Sequence, residues 1–330
     1  MDLRELTFFG LAFFLPVSSF ANPTKSQARC EMSQSDHAWI QRAIRNWTVA
    51  QPQLLHLAPT PLPTIVAIDE SCTYVAAHPK ASSIAWKSSP HAQTVVLPDG
   101  KKVPVGLISF AAPITTGADT GYFAISLPSM WRKRNVQSAL GVEPLVDGVF
   151  LHEMTHTRQF YFANPSLEAL TKRYGLPDNI GDDSLQEAFS NNKDYVADYE
   201  RERDLLYSAA LSASNAEARQ FARQALAAMR ARRDRWFRGE NEKWRDLDEI
   251  FLTMEGLGQW VMYAWYTGPS GLHLSRESAI NFVRRKRQWW TQDEGLAIFL
   301  VVDRLLPDWQ SLAFAPEPVT AEGLLERATK

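Results

Sequence analysis

The chain has 330 residues, of which 45% are hydrophobic and 22% charged, enough to bury a full core and incompatible with a disordered tail or a disulfide-stapled mini-protein. Its 35 Lys plus Arg against 37 Asp plus Glu leave a net charge of -2, which removes the broad electrostatic argument for a nucleic-acid partner. No repeat of solenoid or propeller length is present, so array architectures are excluded as well.

Residues 6–17 (LTFFGLAFFLPV) form a short apolar run, followed by Ser18, Ser19, Phe20 and Ala21, small residues placed as at a signal-peptidase site. The expectation is a signal peptide over residues 1–21, with the mature chain periplasmic or secreted. Asp2 and Glu5 stand against Arg4, so the positive character of the leader rests on the terminal amine; a buried amino-terminal helix is the alternative. No later stretch offers about 18 successive uncharged apolar residues, so a soluble mature chain without a transmembrane segment is expected. Cys30 and Cys72 are the two cysteines. Export permits a disulfide between them, which the chain-entropy model values at about 4 kcal/mol; two separate buried thiols are the alternative. Without a CxxC spacing, a cysteine-based zinc site is excluded.

Over 35–49, Trp39, Ile40, Ala43, Ile44 and Trp47 recur at helical spacing behind the capping candidates Ser35 and Asp36. After the proline-punctuated APTPLPT stretch, segments 64–68, 94–97, 103–110 and 121–126 are rich in β-branched and aromatic residues, and Pro98-Asp99-Gly100 signals a hairpin turn. These compose a small antiparallel sheet in an N-terminal lobe over 22–140. From about Gly141 helical patterns take over, interrupted at Asn164-Pro165, 175–181, Gly239, 268–271 and Pro307, so 141–330 reads as a mostly helical lobe. The fold class is α+β. Arg219, Arg223, Arg230, Arg232, Arg233, Arg235 and Arg238, and the RRKR run at 284–287, read as solvated helix faces because the total charge is balanced.

His152-Glu153-Met154-Thr155-His156 spells HExxH. Glu143 and Asp147 suit the positive end of a helix dipole, Pro144 suits its first position, and Asn164-Pro165 is expected to stop it. On a helix the two histidines lie one turn apart in a row with Leu145, Val149 and Phe160, which should face inward. Neutral imidazoles at i and i+4 can share a zinc ion at about 2.0–2.1 Å, with Glu153 beside the open position.

At these residues the sequence resembles the zincin metallopeptidases. The extension with a closely following Gly and third His is absent, since Thr157, Arg158, Gln159, Phe160 and Tyr161 come next. The gluzincin branch, with a glutamate from a later helix as third ligand, fits better, and its architecture agrees with the order of sheet then helices. Glu255, within Met254-Glu255-Gly256-Leu257-Gly258, ranks first for that ligand. Its helix resembles the third-ligand helix of the aminopeptidase N family, although the spacing from His156 is longer and Gly258 stands where Ala is usual. The apolar row of Phe251 and Met262 turns its carboxylate inward, and Gly256 and Gly258 allow a close helix approach. Glu294, in Asp293-Glu294-Gly295-Leu296-Ala297, ranks second, because Thr291 and Glu294 also spell a capping box. Glu200 with Asp204 resembles the ligand helix of the Ste24-type membrane peptidases, but its arginine-dense surroundings explain it as surface pairing. Glu187 is the weakest candidate.

The resemblance implies one Zn2+ held by His152, His156 and Glu255, and hydrolysis of a peptide or protein substrate by a metal-activated water with Glu153 as general base. Tyr263, Tyr266 and His273 are candidates for stabilising the developing oxyanion, and 121–126 for an edge strand that pairs with an extended substrate. A packing role for each aromatic and a plain strand are the alternatives. A zinc hydrolase of a non-peptide envelope amide or ester would use the same ligands, and a non-catalytic zinc-containing binding protein is the third reading.

Overall fold

Ser33 opens the first helix: its hydroxyl accepts from the Asp36 backbone N–H at 3.1 Å, satisfying one of the donors a helix start leaves unpaired. The computed structural model describes residues 30–79, 84–114, 120–177, 179–284 and 288–330; the expected signal peptide and residues 285–287 of the basic run lie outside them. Helix α1 (Gln34–Leu54) buries Trp39, Ile40, Ala43, Ile44 and Trp47, the stripe read from the sequence, with Ser33 rather than Ser35 as its cap. A Cys30–Cys72 disulfide ties the segment ahead of α1 to the second strand.

The strands are β1 (Thr64–Ile68), β2 (Cys72–Ala76), β3 (Lys87–Pro90), β4 (Thr94–Val96), β5 (Lys102–Pro104), β6 (Ser109–Pro113) and β7 (Gly121–Ser126). Five of them form one sheet in the order β3-β2-β1-β7-β6, and β4 with β5 makes a separate hairpin whose turn has Gly100 at φ 84°, a left-handed conformation that glycine adopts freely. The expected antiparallel sheet is corrected to a mixed one. β1 and β7 run parallel, with Ile65 opposite Phe123, while the other pairs are antiparallel. The cause is topological: the chain leaves β1 through β2, β3, the hairpin and β6 before β7 returns along the other side of β1. Both strands are buried at every position, as strands covered on both faces are. β7 is therefore an interior strand and the edge beside it is β6, so of the two readings of 121–126 the plain strand holds and the edge strand does not.

Among the described residues eleven further α-helices follow, and they make the fold α+β: α2 (Pro128–Lys133), α3 (Val142–His156), α4 (Phe160–Tyr174), α5 (Ser184–Phe189), α6 (Lys193–Leu211), α7 (Asn215–Trp236), α8 (Lys243–Thr267), α9 (Arg276–Val283), α10 (Trp290–Leu305), α11 (Trp309–Ala313) and α12 (Ala321–Ala328). Two details of α3 differ from expectation. It starts at Val142, so Pro144 is its third residue, and it ends at His156 rather than at Asn164-Pro165, which lie inside α4. The stop is a tight turn in which the N–H groups of Arg158 and Gln159 bond back to the carbonyls of Thr155 and His156 at 2.9 Å. Arg158 anchors that turn to the chain after α1 through the Ala58 carbonyl at 3.1 Å and Thr60 Oγ1 at 2.9 Å.

One hydrophobic core runs from α1, β1 and β7 through α3 to α8 and α10, and a smaller cluster including Leu167, Phe189, Tyr199 and Phe251 lies beneath α4, α5 and α6. The arginine-rich helix α7 is only partly solvated. Arg223, Arg230, Arg235 and Arg238 are exposed, but Arg232 and Arg233 are buried, contrary to the solvated-face reading. Arg232 forks onto Glu202 with two bonds of 2.8 Å, and also donates to Asp248 at 3.2 Å and Tyr195 at 2.6 Å. Buried charges persist because they are paired. Arg284, from the basic run, likewise pairs with Asp293 at 2.8 Å and lies over the Tyr207 ring. Among the described residues no helix is long and apolar enough to cross a membrane.

Candidate metal centre

Helix α3 packs against β6 and β7, α1 and α8, so its second half, Gly148 to His156, is buried on every face. Two glycines set its distance from α8. A Cβ on Gly148 would lie 1.9 Å from the Tyr266 hydroxyl, and one on Gly258 would lie 2.7 Å from Nδ1 of His152. Only hydrogen at these two positions lets α8 approach α3 closely enough for Glu255 to reach the histidines.

His152 Nε2 and His156 Nε2 stand 2.9 Å apart, with their rings at 87°. Glu255 closes the triangle: Oε2 is 3.1 Å from His152 Nε2 and Oε1 is 3.2 Å from His156 Nε2. Among the described residues, these three form the group whose ligand atoms converge, all within 4.8 Å of one another. Tetrahedral bonds of about 2.0–2.1 Å place neighbouring donors about 3.3 Å apart, close to the separations here. Two imidazole nitrogens this close cannot both present lone pairs to each other without a shared proton or cation. Burial works against the imidazolium of His156, yet the Glu255 carboxylate outweighs it and pushes the pKa up to about 9. Burial likewise opposes ionisation of Glu255, and the two imidazoles more than offset it, holding the carboxyl well below its ordinary range.

Further acidic side chains lie close by. Glu153, next to His152 in the chain, is 0% exposed and Asp182 is also buried. Burial first, then the charge of Glu255, pushes Asp182 well above the usual carboxylate range and Asp183 up to about 6. The charge of Glu255, which adds to burial in raising these acids, is one that a divalent cation offsets. The convergence, the donor set and that charge all fit a metal ion.

Three buried glutamines surround this cluster, and the sequence reading had not singled them out. Gln159 accepts from His156 Nδ1 at 2.8 Å and donates to the Thr253 carbonyl at 3.5 Å. Gln292 donates to Glu255 Oε2 at 3.2 Å, and Gln259 donates to Gln292 Oε1 at 2.5 Å. Gln259, one turn after Glu255 in an otherwise apolar stretch, was the one signal available.

The other candidates lie elsewhere. Glu294 is buried on α10, 3.8 Å from Arg232 Nη2. Burial, then the neighbouring Glu202 carboxylate to which it hydrogen-bonds, raises its carboxyl well above the ordinary range. No capping box holds it: α10 starts at Trp290, and the Thr291 hydroxyl donates to the Asp182 carbonyl at 2.8 Å. Glu200 is exposed and pairs with Arg203 at 3.7 Å, as surface pairing predicts; Glu187 is exposed on α5. Tyr266 donates to the Pro144 carbonyl at 2.8 Å, a packing role. Tyr263 is raised by burial, with Arg276 and Asp303 as its charged neighbours, and His273 is exposed in the loop after α8. Comparison with known proteins finds no matching family model, curated protein or solved structure.

Proposed function

We propose that the chain is an exported zinc metallopeptidase of gluzincin type, with His152, His156 and Glu255 as metal ligands and Glu153 as general base. The observation that carries this reading is the convergence of two imidazoles and one carboxylate, with a further carboxylate adjacent in sequence to the first histidine. Zinc bound there supplies Lewis acidity, which lowers the pKa of water to about 7 and polarises a carbonyl. Glu153 takes a proton from the attacking water and returns it to the leaving amine. Export belongs to the same reading and is supported by the Cys30–Cys72 disulfide, a bond that reducing compartments disfavour.

A second reading, a metal-holding protein without turnover, is favoured by one observation: Glu153 is 0% exposed, so a substrate reaches it only if the elements above α3 part. Zinc-loaded chain and Glu153→Gln, assayed on an unfolded protein and a peptide panel, separate the two. The peptidase reading expects Glu153→Gln to retain zinc and to lose about 10²-fold or more of the rate. Undiminished hydrolysis by Glu153→Gln refutes the assigned base, and zinc-loaded wild type that cleaves nothing favours the second reading.

A further inference from the structure

We infer that Gln159 is a positioning residue for the metal centre: it fixes the His156 tautomer that presents Nε2 to the metal, and it does so with a neutral acceptor. This rests on the metal reading above, though not on peptidase action. Gln159 is completely buried in the turn that ends α3, and a buried amide is stable only when its groups are paired. Its orientation follows from its two partners. The Thr253 carbonyl 3.5 Å away can only accept, so the NH2 group of Gln159 must face it. Oε1 therefore faces His156 Nδ1 at 2.8 Å, and Nδ1 must carry hydrogen. In the neutral ring that binds a metal the lone pair is then on Nε2, the atom that faces His152 and Glu255.

Thr253 precedes Glu255 by two residues on α8, so one side chain links the histidine helix to the helix of the third ligand. A ligating imidazole generally donates its second N–H to a carboxylate, carbonyl or water, and removing that acceptor typically lowers metal affinity by about 10–100-fold. A carboxylate there would raise the basicity of the ring further. It would also add a further acidic group beside Glu153, Glu255 and Asp182. A neutral amide orients the ring without that addition.

The test is zinc affinity by competition with a chelator for wild type, Gln159→Met and Gln159→Glu, alongside thermal unfolding of the metal-free forms. Met keeps the volume and removes the acceptor; Glu keeps the acceptor. The expected order is a roughly 10–100-fold loss for Gln159→Met and an affinity equal to or above wild type for Gln159→Glu. A residue that only fills space predicts the reverse order. In 1H–15N spectra of the zinc-loaded protein, the His156 Nδ1 proton should be visible and slow to exchange in wild type. Gln159→Met binding as tightly as wild type, or a wild-type Nδ1 without a proton, overturns the assignment and leaves the metal site standing. If Gln159→Met does not fold, the wild-type spectrum still decides the matter. A wild-type chain that binds no zinc overturns both readings.

Discussion

Gly256 of α8 and Gly295 of α10 meet backbone to backbone: a Cβ on Gly256 would lie 2.7 Å from the Gly295 Cα, and one on Gly295 would lie 2.6 Å from the Gly256 Cα. Each glycine follows a glutamate and precedes a leucine, so two identical Glu-Gly-Leu triplets cross at their smallest residue. Past the crossing the glutamates part, Glu255 to the histidines and Glu294 toward Arg232.

This crossing makes the first prediction. In an exposed helix, Gly→Ala stabilises by about 1 kcal/mol. Here the new methyl group meets backbone that cannot swing aside, and overpacking costs about 1–3 kcal/mol. Gly256→Ala and Gly295→Ala should each be net destabilised in urea unfolding, and Gly256→Ala should also bind zinc more weakly because Glu255 is displaced. Stability at or above wild type in both variants would mean that the helices separate freely.

The buried ion network gives the second. Arg232→Met strands Glu202 without its partner and leaves Asp248 with Arg233 alone, which should cost about 3–5 kcal/mol. Glu294→Gln replaces a carboxyl whose ionisation is disfavoured by burial and by Glu202, so it should stay within about 1 kcal/mol of wild type. Urea unfolding of the two variants checks both, and a larger loss for Glu294→Gln than for Arg232→Met would reverse the assignment of charges.

Asp147 gives the third. Burial pushes its pKa up to about 6, against the opposing pull of Arg42 and the Trp39 indole N–H. A carboxyl with a folded pKa above its unfolded value binds its proton more tightly when folded. Its contribution is therefore favourable at low pH and declines as pH rises from about 4 to about 6. At about 1.4 kcal/mol per pH unit the decline is roughly 2–3 kcal/mol. Asp147→Asn should lack it, so the stability of wild type relative to this variant should fall by that amount between pH 4 and pH 7. An unchanged difference across that range would contradict the assignment.

Much of the frame was legible because local pattern carried it. The α1 stripe, the strands β1 and β7, the switch from sheet to helices and the inward turn of Glu255 all follow from apolar periodicity. What was not legible depends on distant partners or on missing pattern. β3 is exposed throughout and offers no alternation to read. The parallel pairing of β1 with β7 is set by a long excursion between them. Asn164-Pro165 carries a local stop signal, but a turn held by Arg158 ends α3 first. Arg232 looked solvated because its acidic partners lie on α6 and α8. The glutamines around the centre were missed for the same reason, since a buried amide looks like a surface one until its neighbours are known.

The account depends most directly on the metal content of the mature chain, measured by elemental analysis after purification without chelators and again after zinc loading. Wild type and Glu294→Ala should each hold about one zinc per chain, and Glu255→Ala should lose it. A wild-type chain that stays metal-free, or a Glu255→Ala variant that holds zinc as tightly as wild type, would contradict the site proposed here.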